Sequence, residues 1–373
     1  MEFIRVEDCC EILDSQRKPV TESERIPGMY PYYGANGMQG TINQYIFDDK
    51  LVLVAEDGGH FGSKTKPIAY LVNGQCWVNN HAHVLRSKKG FLAEYICYSL
   101  MFYKIESYIN GATRQKLTQA ALRKLLIPKR SVEYQKAIVD RLDLVRYIIE
   151  KRQNIINELD LLIKSRFVEM FGNPIINDKK YPVFKLKDIS QKIGSGVTPR
   201  GGDSNYIDKG VAFIRSMNVY NNTFKKENLV YIDESLAKQL CQVELFSNDL
   251  LLNITGASVA RCCTVPDDIL PARVNQHVCI IRQCRISNVF LEYCLTNESY
   301  QEYLLLLSNK NGATREALTK IQVENLEVIF PPLTEITRFV KIVHQINKLK
   351  SDVQKSIDET QLLMDSLMQE YFG

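Results

Sequence analysis

The chain has 373 residues, of which 45% are hydrophobic and 24% charged, with a formal net charge of +4. That balance excludes a disordered polar chain and leaves room for two domains of ordinary size plus connecting elements. A charge this small names no partner by itself, and the ten cysteines include no CxxC pair that would suggest a metal site. Cys9-Cys10 and Cys262-Cys263 are adjacent pairs and most others sit in apolar runs, so free thiols in a reducing cytoplasm are expected. No signal peptide is evident, and no stretch approaches the roughly 18 apolar residues that would span a membrane.

In chain order, the first region (1–130) is mixed and turn-rich. Lys50-Leu51-Val52-Leu53-Val54-Ala55 and Ile68-Ala69-Tyr70-Leu71-Val72 read as strands, broken by turns at Gly34-Ala35-Asn36-Gly37 and Asp57-Gly58-Gly59. A helix is expected near Phe91 to Ile105. From Ser107 to Val132 there are six basic residues and no acidic one. A long helix follows in residues 131–172, with an apolar stripe through Leu142, Val145, Ile149, Ile156, Leu159, Ile163 and Met170. Five of these lie seven apart, the coiled-coil spacing, with Arg152 and Arg166 interrupting the seam. Gly172-Asn173-Pro174 ends the helix, because glycine caps and proline forbids continuation.

The second region (173–332) repeats the plan. Leu250 to Ile254 and Val278 to Ile281 read as strands, and Asn288 to Leu307 as helix. Lys179 to Lys226 holds ten basic residues against three acidic ones. After Pro331-Pro332 a second long helix (333–373) carries Val343, Ile346, Leu349, Val353, Ile357, Met364 and Leu367. A helix of about 40 residues is roughly 60 Å long, and its stripe needs a partner, most simply the other helix.

The two halves are copies. Asn110-Gly111-Ala112-Thr113-Arg114 recurs as Asn311-Gly312-Ala313-Thr314-Arg315, 201 residues on, and the offset holds through Leu117-Thr118 and Leu318-Thr319 to Phe171-Gly172 and Phe372-Gly373. Val78-Asn79-Asn80-His81 recurs as Val274-Asn275-Gln276-His277 at offset 196. The offset is 180 at Asp8 and Asp188, so the second copy has gained 21 residues in its variable part. Such duplication produces two similar surfaces related by a pseudo-two-fold, suited to a target with two halves.

No P-loop, GxSxG, HExxH or GxGxxG motif occurs, and Phe330-Pro331-Pro332-Leu333 lacks the Asn or Asp of an amino-methyltransferase site. His81 and His277 follow Asn-rich turns, where a structural hydrogen bond is the expected role. What remains suits DNA reading. Tyr32, Tyr33 and Asn36 lie on one turn, and Arg200, Arg215, Ser216 and Asn218 stand next to glycine or in polar turns. Arginine pairs with guanine edges and asparagine with adenine. Lys64, Lys66, Arg114, Lys225 and Arg315 are the expected phosphate contacts.

The duplicated Asn-Gly-Ala-Thr-Arg segment, the long helix after each proline, the terminal Phe-Gly, and the runs Tyr32 to Gly37 and Val211 to Val219 resemble the specificity subunit of Type I restriction-modification enzymes. The resemblance covers the whole chain. It implies an α/β fold of two target recognition domains joined by two long antiparallel helices. It also implies that each domain reads one half of a split sequence in double-stranded DNA. The helices would set the gap and dock modification subunits, two of them, with restriction subunits added. S-adenosylmethionine, ATP and Mg would belong to those partners, and this chain would bind no cofactor or metal. One departure is that Glu316, Glu324 and Glu327 dilute the positive charge in the second copy. A self-contained Type II-like enzyme fragment and a coiled-coil adaptor without a DNA role are the alternatives.

Overall fold

A computed structural model describes residues 2–63, 65–110, 115–282, 284–309 and 316–373. The chain forms two compact units, Met1–Asn154 with Gln354–Gly373, and Ile155–Val353.

Unit 1 contains β1 (Phe3–Arg5), β2 (Cys10–Ile12), β3 (Tyr30–Gly34), β4 (Gly37–Ile42), β5 (Phe47–Ala55), β6 (Ala69–Val78) and β7 (Ala82–Ser87). Six of them form one sheet in the order β2-β7-β5-β6-β3-β4. The helix α1 (Ala93–Met101) packs on β5 and β6. Leu51 to Ala55 is an unbroken apolar run because both of its faces are covered. Val52 and Val54 point into the cluster with Ile96 and Leu100 of α1, while Leu51 and Leu53 point into another with Val72 and Val84. The first strand, β1, leaves this sheet and pairs antiparallel with β8 (Leu126–Pro128).

Unit 2 repeats these parts as β9 (Val183–Lys185), β10 (Lys192–Ser195), β11 (Val211–Ile214), β12 (Val230–Ile232), β13 (Leu250–Asn253), β14 (Cys262–Thr264), β15 (Ala272–Val274), β16 (Val278–Arg282) and α3 (Asn288–Leu295). The expected helix over 288–307 is in fact two, since a second one runs over Glu298–Asn309. The outer pair recurs as β9 with β17 (Glu327–Ile329). The central ladder recurs too, Val54 facing His83 in one copy and Leu252 facing Cys279 in the other. One element differs. Where β6 is a single ten-residue strand, unit 2 has β14 and β15 separated by residues 265–271. Pro266 and Pro271 stand in that interval, and a proline cannot donate to a ladder. The copy therefore splits into two sheets, β10-β16-β13-β14 and β12-β11-β15.

The helices α2 (Val132–Phe171) and α4 (Leu333–Phe372) are 40 residues each. Within unit 1, Arg141 donates to the Tyr371 hydroxyl at 3.0 Å, and Arg152 to the Ser356 carbonyl at 2.9 Å. Within unit 2, Lys350 pairs with Asp160, and the Phe171 and Phe339 rings lie 5.5 Å apart. In each unit one residue number rises as its partner's falls, so the paired segments are antiparallel. Leu142, Val145, Ile163, Val343, Ile346, Ile357 and Met364 are buried. Ile149, Ile156, Leu159, Val353 and Leu367 are half-buried. Leu349 departs from the expected stripe, being 54% exposed. Arg152 explains the interruption: its guanidinium reaches a backbone carbonyl and the Thr360 hydroxyl of α4, so the seam closes by hydrogen bonds there.

Candidate nucleic-acid interface

In each unit the backbone brings four pieces of chain to one junction, by the same hydrogen bonds. Just beyond the central strand, Glu56 N–H donates to the His81 carbonyl (2.8 Å) and Ile254 N–H to the His277 carbonyl (2.9 Å). The residues after the repeated pentapeptide then dock, Leu117 N–H on the Glu56 carbonyl and Leu318 N–H on the Ile254 carbonyl, both at 2.8 Å. Each histidine turn is closed by an asparagine, Asn79 Oδ1 accepting from His81 N–H and Asn275 Oδ1 from His277 N–H. The same asparagines bind the ends of β3 and β11, Asn79 N–H to the Tyr33 carbonyl and Asn275 N–H to the Ile214 carbonyl, both at 3.0 Å. Gly58 and Gly256 follow with φ of +64° and +73°, where a side chain would be strained.

This pairing places Tyr33-Gly34-Ala35-Asn36 and Ile214-Arg215-Ser216-Met217 at equivalent points. The two clusters of candidate readers, unrelated in sequence, thus sit at the same corner of the repeated frame. Asn36 is exposed there, its amide donating to the Gly58 carbonyl at 2.9 Å. Tyr33 is half-buried, 6.0 Å from the Tyr70 ring. Ser216 lines an open cleft. Arg215 is half-buried and donates to the Asn228 carbonyl at 2.7 Å, with its guanidinium 5.3 Å from the Tyr206 ring.

Other candidates fall elsewhere. Tyr32 is a core residue, 1% exposed, with its hydroxyl donating to the Val20 carbonyl, so it cannot reach a base. Asn218 is fully buried; its side chain accepts from Arg215 N–H and donates to the Lys225 carbonyl, holding the turn rather than a ligand. Both corrections have one cause: a polar tip on a turn is as useful for closing the turn as for projecting from it. Arg200, Lys66 and Lys225 are exposed, Lys225 lying 4.1 Å from the Tyr220 ring. Lys64, Arg114 and Arg315 lie outside the described residues.

Beneath the junction the units diverge. In unit 1, His83 Nδ1 is 2.6 Å from Asp14 and its Nε2 is 2.8 Å from the Leu117 carbonyl. Both ring nitrogens face oxygen acceptors, which the doubly protonated ring satisfies. Arg17 donates to Glu56 at 2.6 Å and to the Ala82 carbonyl at 2.7 Å, and Lys116 reaches Glu56 at 2.9 Å. Burial pushes the Asp14 and Glu56 carboxyls up. The hydrogen bond and charge of His83 on Asp14, and the hydrogen bonds of Arg17 and Lys116 to Glu56, outweigh it and hold both below their ordinary values. Asp14, Glu56 and His83 have ligand-type atoms within 4.8 Å of one another. Their lone pairs are already turned to cationic side chains, so the group is a salt-bridge network rather than a metal site.

In unit 2 the ladder position of His83 is Cys279, buried among apolar side chains. Above it opens a cleft of about 550 Å³, lined among others by Ser216, Tyr220, Thr255, Arg261, His277 and Glu316. His277 Nδ1 bonds the Thr255 hydroxyl at 2.6 Å, where His81 bonds the Asp57 carboxylate at the same distance. Thr255, Arg261 and Tyr220 escaped sequence reasoning. For Arg261 the signal was only a residue just before a strand, arginine in one copy and isoleucine in the other, at an offset unlike those of its neighbours.

Comparison with known proteins agrees with the duplication. A family model, the Type I restriction modification DNA specificity domain, matches residues 1–161 and again 178–360. A relative from Haemophilus influenzae, named as a type I restriction enzyme specificity subunit, is 24% identical over 371 residues, covering 96% of this chain and 90% of its own. The specificity subunit of the type I restriction enzyme MjaIX of Methanocaldococcus jannaschii is 25% identical over 304 residues, 75% of this chain and 68% of its own. A solved S subunit of a Type-I restriction-modification system from M. genitalium shares the fold, with a TM-score of 0.58 at 13% identity over 100% of this chain and 96% of its own.

Proposed function

Because this chain belongs to the Type I restriction modification DNA specificity family, we propose that it recognises a split sequence in double-stranded DNA, one half per unit, and directs modification and restriction subunits to it. The observation that carries this reading is the duplicated junction. One hydrogen-bonded frame presents Asn36, Asp57 and His81 in unit 1, and Ser216, Thr255, His277 and Arg261 in unit 2. Identical scaffolds with different polar tips are what two different half-sites require, since side chains at base edges specify sequence. Lysines such as Lys66 and Lys225 would fix register on phosphates.

The chemistry of modification and cleavage would lie on the partners, with S-adenosylmethionine, ATP and Mg, and this chain would act without catalysis of its own. The long helices supply material for docking. In unit 1, Leu144 is 59% and Leu362 69% exposed; in unit 2, Leu161 is 61% exposed. Exposed leucines on helices whose seam is already filled favour a further protein partner. Among the described residues no helix is long and apolar enough to cross a membrane, and the reading places the protein where DNA is, in a prokaryotic cytoplasm.

The test is a genome-wide adenine methylation map of cells carrying this chain with its modification subunit, against cells lacking the chain. A new motif of two short halves around a fixed gap is expected. An unchanged map, with the modification subunit expressed, would remove the specificity role.

A further inference from the structure

The unit 2 cleft contains an arginine whose guanidinium finds no hydrogen-bond acceptor among the described residues. Arg261 is half-buried, with its guanidinium 4.3 Å from the centre of the Tyr220 ring. Among the described residues no carboxylate or carbonyl accepts from that guanidinium; only its backbone is so engaged, the carbonyl accepting from Asn253 N–H at 2.8 Å and the N–H donating to the Ser258 carbonyl at 3.3 Å. Arginine presents five N–H donors in a planar fork, and in an open cleft those donors are available to a ligand that supplies acceptors. Cation–π attraction to that ring holds the guanidinium in the cleft before anything binds.

The first unit shows that the frame does not require this residue. Its Ala55 N–H donates to the Ile68 carbonyl at 2.8 Å, the bond that Asn253 makes to Arg261 in unit 2. Ile68 is 4% exposed and packs in the core. An apolar residue therefore serves the fold at this position, and the arginine serves something else. The cleft it faces is also furnished with Ser216 and with His277, whose Nδ1 is engaged by Thr255.

Resting on the reading of unit 2 as a half-site reader, we propose that Arg261 is the residue that selects guanine at one position of that half-site, its guanidinium donating two hydrogen bonds to the O6 and N7 acceptors. Guanine is the base whose major-groove edge offers two adjacent acceptors to such a fork. A phosphate would accept from the same donors, but would not select a base.

The experiment uses the complex of the full chain with its modification subunit. Its methylation motif is mapped in cells, and methylation rates are measured on duplexes that vary one base at a time. Arg261→Ala is expected to relax a single guanine position in one half-site, lowering discrimination there by roughly ten- to a hundred-fold, and to leave the other half-site unchanged. Arg261→Lys, which keeps the stem and charge but loses the fork, is expected to relax the same position and tests the proposal if the alanine variant fails to assemble. An unchanged motif in either variant overturns the proposal, as does uniform weakening on every sequence in the alanine variant with recovery by lysine, the behaviour of a phosphate contact. If the unmodified chain writes no split motif at all, the functional reading itself fails, and that result is separate from these.

Discussion

Unit 1 and unit 2 share a backbone frame and differ in what is buried beneath it. In unit 1 the junction rests on charge, with His83 between Asp14 and the Leu117 carbonyl and Glu56 held by Arg17 and Lys116. In unit 2 the same ladder position is a thiol in an apolar cluster, and the polar groups have moved up into an open cleft. The backbone bonds that define the junction survive either solution. Main-chain hydrogen bonds are indifferent to side-chain identity, so a repeated frame can be kept while its filling drifts.

The sharpest way to break the comparison is to exchange Ile68 and Arg261, whose carbonyls accept the same backbone bond in the two units. Ile68→Arg would bury a cation in an apolar core, and unit 1 is expected to lose roughly 5 kcal/mol. Arg261→Ile should leave the folding of unit 2 nearly unchanged. Hydrogen exchange on the full chain, resolved by unit, checks both, and equal losses in the two units would refute the asymmetry.

Next come the paired helix ends. Phe171 is fully buried against Phe290 (4.9 Å) and Phe339 (5.5 Å), whereas its repeat, Phe372, is half-buried 5.3 Å from Tyr95. Phe171→Ala is expected to cost about 3–5 kcal/mol, and Phe372→Ala about half as much. Urea denaturation of each variant measures the difference.

The charged network yields a smaller effect with a pH signature. Asp14→Asn leaves the buried His83 ring without its counter-charge and should destabilise unit 1 by roughly 3 kcal/mol, while Cys279→Ala in unit 2 should cost about 1 kcal/mol. Because the Asp14 and Glu56 carboxyls titrate below their unfolded values, their contribution is present above the ordinary carboxylate range, about pH 4. It is lost as pH falls through the lower folded values. Protection of unit 1 amides measured down through that range should fall with pH in the native chain and fall less in the Asn variant.

The smallest predicted effect has the opposite sign. Glu292 is buried in unit 2, and burial raises its carboxyl pKa despite hydrogen bonds from Thr264 and Asn222. A raised acid stabilises the fold below its unfolded pKa and loses that contribution as pH climbs through the folded value. Glu292→Gln should therefore change stability by less than about 1 kcal/mol in acid and favour unit 2 slightly above neutrality. A pH series of unit 2 amide exchange, native against Gln variant, would expose any other trend.

Much of this was legible in the residues themselves. The copies declared themselves through Asn-Gly-Ala-Thr-Arg and through the histidine turns. The apolar run Leu51 to Ala55 announced a strand, and the seven-residue spacing from Leu142 to Ile163 announced a helix seam. These are local patterns, set by the periods of helix and strand. The sequence was weaker on the readers. Tyr32 and Asn218 look like turn-tip ligands in one dimension, yet one is core and the other closes its own turn. Arg261 was invisible because its counterpart, Ile68, lies at an offset of 193, unlike the 196 and 201 of the recognisable repeats.

By itself, then, the amino-acid order determined the duplication, the class of the main elements and the need of each long amphipathic helix for a partner, because hydrophobic period and turn chemistry act over a few residues. Only the tertiary structure decided which polar groups meet: that His83 finds Asp14, 69 residues away, that Cys279 replaces it in the second copy, and that Arg261 lies over Tyr220 with no acceptor for its guanidinium among the described residues. Those contacts depend on strand register across long loops, and a shift of one residue turns every side chain to the opposite face.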